Sequence, residues 1–243
     1  MTKFAEMNLL PENMIKERLK SMSLHDYMFE KFAIKFPDNN LKLARLYKFL
    51  FIRHPFERLV SAFHDKFITI QQLNLMKPFI SFYLDQNGIK KPNSKEWQHL
   101  RKEWVNKNVN VTFQNFVKFV LHENSLKAEI SGPSWHWWPF SDVCKLCDIE
   151  YNYIGKLESL QEDINCILEK FPEYKIFQGM NAKIKNKVNA SGHHNKNMTL
   201  EYFSQLSKST IIELYQMYKL DFSIGGYSYP LKYIDVGIPD QNP

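Results

Sequence analysis

One segment, residues 47–67, predicts a strand that turns directly into an amphipathic helix. Its letters are YKFLFIRHPFERLVSAFHDKF. Residues 49–52 form a short apolar run, which is typical of a fully buried strand, and the His54-Pro55 pair indicates a turn. Pro55 suits the first turn of a helix, because its missing N–H is not needed there. The segment therefore predicts that Arg53 lies at the carboxyl end of a strand, just before a helix begins.

The predicted helix has an apolar face and a polar face. Apolar residues recur at helical spacing and predict the buried face: Phe56, Leu59, Val60, Phe63 and Phe67. Arg58, Ser61 and Asp65 lie on the opposite side. The start of a helix offers unpaired N–H groups and a positive dipole end, so a phosphate would fit there. A helix that only packs on a core shows the same polar face, so spacing alone leaves both interpretations open.

The amino-acid sequence of this segment closely resembles the 3′-phosphate-binding motif of Golgi carbohydrate sulfotransferases. The matching residues are RHPFERLVSAF from Arg53, together with KFLF from Lys48 and DKF from Asp65. The branch that it resembles contains the HNK-1 and chondroitin/dermatan 4-O-sulfotransferases. In that family the arginine and the serine of the motif hold the 3′-phosphate of PAPS (3′-phosphoadenylyl sulfate), the sulfuryl donor. By position these residues are Arg53 and Ser61, and His54 and Arg58 are further candidate contacts.

Two further blocks resemble the family in order and content. One contains HWWP from His136, the Cys144 and Cys147 pair, and YNYIGKLESL; the other runs from EYFSQL to the Gly226-Tyr227 pair. The resemblance covers most of residues 47–227. His136 is the candidate base for the acceptor hydroxyl, since an ordinary histidine pKa suits that role. A histidine beside tryptophan is also common as a structural hydrogen-bonding residue.

The chain departs from the family pattern in two places. Family members wrap the 5′-phosphosulfate with an upstream loop that supplies a catalytic lysine. Such a loop needs small residues, yet the first glycine is Gly88 and the first cysteine is Cys144. Trp138 stands where the family usually has arginine. We therefore expect that the chain alone transfers little or no sulfate, and that its amino-terminal part is lost or diverged.

The expected fold is a single α/β domain. The resemblance implies a P-loop-like PAPS sulfotransferase fold that is rich in helices, with a small parallel sheet that lacks its first strand and loop. We expect this sheet to have an unpaired edge beside the first strand. Residues 1–40 are assigned to a divergent helical segment, with one or two helices in 11–36, and residues 228–243 to a tail. The other predicted elements are a strand at 151–155 and helices at 97–105, 113–122 with Thr112 as cap, 160–171, and 208–220 with Ser207 as cap.

The charge of the chain favours anionic partners. A net charge of +6 and a pI near 9.0 suit a nucleotide, a sulfated or uronate-bearing glycan, or nucleic acid. Nucleic acid ranks last, because no RNA- or DNA-binding motif is recognised.

No run reaches the roughly 18 apolar residues of a membrane span. The resemblance implies a luminal Golgi membrane protein whose anchor is missing here, and sequons at Asn110, Asn189 and Asn197 fit a luminal glycoprotein.

The cysteines and tryptophans leave alternatives open. Cys144 and Cys147 form a C-x-x-C pair, but a second ligand pair at zinc-finger spacing is not recognised, so no metal is expected. An oxidising lumen would allow the two cysteines to form a disulfide. The aromatic cluster Trp135, Trp137, Trp138 and Phe140 suits either a core or a sugar-stacking surface, and a core is favoured.

The function favoured by the sequence is transfer of a sulfuryl group from PAPS to a glycan hydroxyl, on a chondroitin/dermatan-like or other carbohydrate acceptor. Such a reaction depends on positioning the reactants and neutralising anionic oxygens. The alternative is a non-catalytic relative that binds a nucleotide or an acidic glycan without sulfate transfer.

Overall fold

The strand and helix predicted from residues 47–67 are confirmed. The computed structural model describes residues 47–69, 73–99, 101–126, 135–170 and 196–240. Strand β1 spans Phe49–Ile52. Helix α1 spans Pro55–Phe63, with Pro55 in its first turn, and continues as a wider π-helical turn over His64–Thr69. The helices predicted within residues 11–36 lie outside the described residues.

Strand β2 spans Tyr153–Lys156, slightly later in the chain than predicted. It pairs with β1 in parallel, with Phe49 opposite Tyr153 and Ile52 opposite Lys156. The expected small parallel sheet is therefore confirmed, and the described residues contribute two strands to it. The prediction that β1 is fully buried is wrong, because Ile52 is its one buried residue and Phe49 is 40% exposed.

Three predicted helices are confirmed with revised bounds. They are α5, Phe113–Ser125; α7, Leu160–Lys170; and α9, Lys208–Ile224. The predicted caps are also present: the Thr112 hydroxyl accepts from the Asn115 N–H at 3.2 Å, and the Ser207 hydroxyl accepts from the Thr210 N–H at 3.2 Å.

The single helix predicted at 97–105 is wrong, because the structure has two short helices there. Helix α3 spans Ser94–Gln98 and helix α4 spans Lys102–Asn108. Asn93 and Glu96 form a capping box that starts α3 earlier than predicted.

Four helices were not predicted from the sequence. They are α2, Leu73–Gln86; α6, Phe140–Val143; α8, Lys196–Phe203; and α10, Leu231–Val236. Pro78 lies inside α2, where a proline ordinarily indicates a break. Helix α10 falls within residues 228–243, and it places the Tyr233 side chain in the core.

The core of the described domain is aromatic and lies between the helices. The predicted apolar face of α1 is buried throughout, and Phe56 stacks on Phe203 with ring centroids 4.4 Å apart. Trp137 and Trp138 are also buried, which confirms the core interpretation for these two residues, whereas Trp135 is 37% exposed. In the described ranges, no helix is long and apolar enough to cross a membrane.

Candidate functional site

The carboxyl ends of the two parallel strands place cationic residues at one edge of the sheet. Ile52 pairs with Lys156, and Arg53 follows Ile52 directly. Arg53 and Lys156 therefore lie at the same carboxyl edge of the sheet, where α1 begins. In open α/β sheets this edge is where ligands ordinarily bind.

His54 shapes the turn between β1 and α1. Its Nδ1 atom accepts a hydrogen bond from the Phe56 N–H at 3.2 Å, which caps the helix. The His54 N–H donates to Glu158 Oε1 at 2.7 Å. The imidazole also packs against the rings of Phe222 and Tyr227, with centroids 5.1 and 4.9 Å away. These contacts fix the position of the Arg53 backbone, and contact between His54 and a nucleotide stays a prediction.

Arg53 and Ser61 lie on the same side of α1. The Arg53 guanidinium is 3.7 Å from the Glu57 carboxylate, and 22% of its side chain is exposed. Ser61 is one helical turn beyond Glu57, so the two share a face. Among the described residues, the Ser61 hydroxyl has no hydrogen-bond partner. A cation oriented by Glu57 and a nearby hydroxyl donor suit an anion.

The Arg58 side chain is largely buried in contacts with other parts of the protein. Its Nη2 atom donates to the carbonyl oxygens of Trp135, at 3.0 Å, and Trp138. The guanidinium stacks on Phe140, with its carbon 3.9 Å from the ring centroid, and Nη1 is 3.9 Å from Asp221 Oδ2. Burial lowers the pKa of Arg58. The structure thus gives Arg58 a packing role, and a donor contact by this residue stays a prediction.

The segment that carries His136 is held against α1 and α9. Asp221 accepts hydrogen bonds from the N–H groups of Phe140 and Ser141, at 2.6 and 2.8 Å. The Tyr218 hydroxyl donates to the Trp137 carbonyl. Because Arg58 binds carbonyls on both sides of His136, the backbone there is fixed beside α1, while the His136 side chain is exposed. This placement fits an acceptor-side residue, and its role as base stays a prediction.

Three residues at the sheet edge were not assigned to the site from the sequence. The Glu158 carboxylate, which binds His54, also accepts from the Tyr227 hydroxyl at 3.0 Å. The Lys156 ammonium lies 5.2 Å from the centroid of the Tyr227 ring. Burial and Glu158 raise the pKa of Tyr227, and Arg53 opposes this rise, so Arg53 is also in electrostatic range. Lys156 directly follows the strand predicted at 151–155, and this position was the available signal for Lys156.

The cysteines are free thiols, so the structure does not contain the disulfide that an oxidising lumen would allow between Cys144 and Cys147. Burial raises the pKa of Cys144, which disfavours its thiolate form. Within the described part of the chain, no group of three or more metal-binding side chains is found.

Comparison with known proteins identifies the family. Residues 5–228 match the profile described as "Sulfotransferase family". The chain is 31% identical to carbohydrate sulfotransferase 11 of Mus musculus over 202 residues, which covers 80% of this chain and 50% of that protein. It is 28% identical to carbohydrate sulfotransferase 10 of Xenopus laevis over 238 residues, covering 93% and 59%. The chain therefore belongs to the sulfotransferase family, and the relatives that it resembles here are carbohydrate sulfotransferases.

These matches cover only part of each relative. The chain spans about half the length of the curated relatives that it matches. The family match begins at residue 5, upstream of the motif blocks that start at Tyr47. No solved structure gives a significant match.

Proposed function

We propose that this chain forms the donor-binding part of a carbohydrate sulfotransferase, which moves a sulfuryl group from PAPS to a hydroxyl of a glycan. The observation that carries the proposal is the position of Arg53, at the shared carboxyl edge of the sheet and immediately before α1. The relatives named as carbohydrate sulfotransferases support the reaction class and the glycan acceptor. A luminal Golgi location belongs to the same proposal.

The residues at the edge fit the 3′-phosphate of the donor. Arg53 has one ionic partner among the described residues, Glu57, at 3.7 Å, and this leaves guanidinium N–H groups to bind phosphate oxygens. Ser61 adds a hydroxyl donor on the same face, and the start of α1 adds its positive dipole end. PAPS supplies the sulfuryl group when bound. The chain supplies orientation and charge neutralisation at the other end of the nucleotide.

On the acceptor side, we assign His136 the role of general base. Its exposed imidazole sits on a segment fixed by Arg58 and Asp221, so a glycan hydroxyl can approach the ring at a defined place. Removing the hydroxyl proton would let the oxygen attack sulfur as the bond from sulfur to the leaving phosphate oxygen breaks.

Calorimetry with adenosine 3′,5′-bisphosphate tests the donor site. The wild-type chain is expected to bind this nucleotide more tightly than adenosine 5′-monophosphate, which lacks the 3′-phosphate. Arg53→Ala should abolish that preference, whereas Lys219→Ala, which removes an exposed cation on α9, should keep it. A wild-type chain without preference for the bisphosphate would show that the assignment of the 3′-phosphate is wrong.

A second candidate function is nucleotide or acidic-glycan binding without catalysis. It is favoured by residues 1–46, which contain no glycine and no cysteine and so no recognisable 5′-phosphosulfate loop. Incubation of the purified chain with radiolabelled PAPS and a panel of glycans, including desulfated chondroitin, distinguishes the two. We expect nucleotide binding with little or no transfer. Robust transfer would contradict our interpretation of the amino-terminal residues.

A further inference from the structure

Lys156 is placed at the candidate phosphate site by the sheet register. It is the last residue of β2 and lies opposite Ile52, the residue before Arg53. Its backbone is fixed, because the Lys156 N–H donates to Asp163 Oδ2 at 2.7 Å. The site therefore has cationic side chains from both strands, and not only from the strand that carries the family motif.

The Lys156 ammonium is held by an aromatic ring instead of a carboxylate. It lies 5.2 Å from the centroid of the Tyr227 ring, which is within range of a cation–π contact. No carboxylate lies within ion-pair distance of it in the described ranges of the chain. Asp163 is in electrostatic range of Lys156, since the Lys156 charge helps to lower the pKa of Asp163, but it is not a close ion-pair partner. An ammonium that is positioned without a close carboxylate is suited to an anionic ligand.

The turn before Tyr227 closes this side of the site. Gly225 packs so tightly that an added Cβ would lie 3.1 Å from Ile52 Cδ1 at the end of β1. Gly226 has a φ of +58°, and a Cβ there would lie 3.9 Å from Lys156 Nζ. The two glycines thus bring the turn against the carboxyl ends of both strands, beside the Lys156 ammonium.

The charges around Arg53 show why a second cation matters. Arg53 lies close to Glu57, and Glu158 is bound to the adjacent turn through His54. Two carboxylates beside one cation weaken the attraction of this edge for a phosphate. Lys156 adds positive charge at this edge, and the dipole of α1 also favours an anion.

We propose that Lys156 is a second cation of the donor site and binds the 3′-phosphate together with Arg53. This inference rests on the proposed function, because it takes the 3′-phosphate as the ligand. Tyr227 positions the ammonium at the edge of the sheet that it shares with Arg53.

Lys156→Gln, measured by calorimetry, tests the inference against Lys219→Gln as the control. We expect Lys156→Gln to weaken binding of adenosine 3′,5′-bisphosphate by about tenfold or more, the effect of losing one charged hydrogen bond. Binding of adenosine 5′-monophosphate should be unchanged, and Lys156→Arg should restore most of the bisphosphate affinity. The thermal midpoint of each variant, recorded in parallel, verifies that the chain is folded.

The outcomes separate this inference from the proposed function. A wild-type chain that does not prefer the bisphosphate contradicts both. If wild type prefers it and Arg53→Ala abolishes the preference, but Lys156→Gln binds like wild type, only the assignment of Lys156 is wrong. If Lys156→Gln weakened the binding of both nucleotides equally, the assignment would also be overturned. Lys156 would then act on the part of the molecule that the two nucleotides share, and not on the 3′-phosphate.

Discussion

Arg58 Nη1 lies 3.9 Å from Asp221 Oδ2, and both side chains are largely buried. This pair joins α1 to α9, and each partner also binds the segment between residues 135 and 141. An arginine that the sequence places on the polar face of a helix is therefore part of the protein interior. The pair connects α1 to the segment that carries His136.

Arg58→Met is expected to lower the free energy of unfolding by about 3–5 kcal/mol, because it leaves the Asp221 carboxylate buried without its cation. Urea denaturation gives the measurement. Lys219→Met, an exposed change on α9, serves as the control and should have little effect. An unchanged denaturation midpoint for Arg58→Met would show that the buried pair does not stabilise the fold.

Ser61→Ala should weaken binding of adenosine 3′,5′-bisphosphate less than Arg53→Ala does. A neutral hydroxyl contributes about 0.5–1.5 kcal/mol and a charged donor about 1.5–3 kcal/mol to such a contact. Calorimetry on both variants gives the order of the losses. If Arg53→Ala bound as tightly as the wild type, the phosphate could not lie at the start of α1.

The Asp163 carboxylate should stabilise the fold in a pH-dependent way. Burial alone raises its pKa, but hydrogen bonds from the Lys156 N–H, the Tyr153 hydroxyl and the Ser159 hydroxyl lower it below the ordinary value. Because the pKa is lowered on folding, the stabilisation is present above the unfolded pKa, about 3.9, and is lost as the pH falls through the folded value.

Asp163→Asn removes this pH-dependent contribution. We expect the stability difference between wild type and variant, measured by urea denaturation, to be larger at pH 7 than at pH 3. Glu162→Gln is a matched control, since Glu162 is exposed on the same helix. A difference that stays constant between the two pH values would contradict the assigned role.

His136→Ala is expected to reduce sulfate transfer by about 100-fold or more, the usual contribution of a general base, with little change in nucleotide affinity. Both assays are needed, and transfer must be measured in a form of the protein that is active. Trp135→Ala changes the exposed neighbour and controls for damage to the segment. Normal transfer by His136→Ala would leave the histidine a structural residue.

The sequence by itself determined the local features of this protein. The apolar run and Pro55 defined β1 and the start of α1, and the helix caps at Thr112 and Ser207 were recognisable because a cap bonds to residues a few positions away. The motif around Arg53 and Ser61 likewise lies within one strand and the following helix. Helix α2 was not predicted from the sequence, and it contains Pro78, a residue that ordinarily breaks a helix.

Only the tertiary structure decided which distant groups meet these residues. Helical periodicity places Arg58 and Ser61 on the same polar face. In the structure, however, Arg58 contacts the Trp135 carbonyl, 77 positions later in the chain, and the Asp221 carboxylate, 163 positions later. Lys156 and Tyr227 join Arg53 because β1 and β2 pair in parallel and a glycine turn packs on their ends. Helical periodicity fixes the face of a helix, whereas the partner of a charged side chain depends on which remote element packs there.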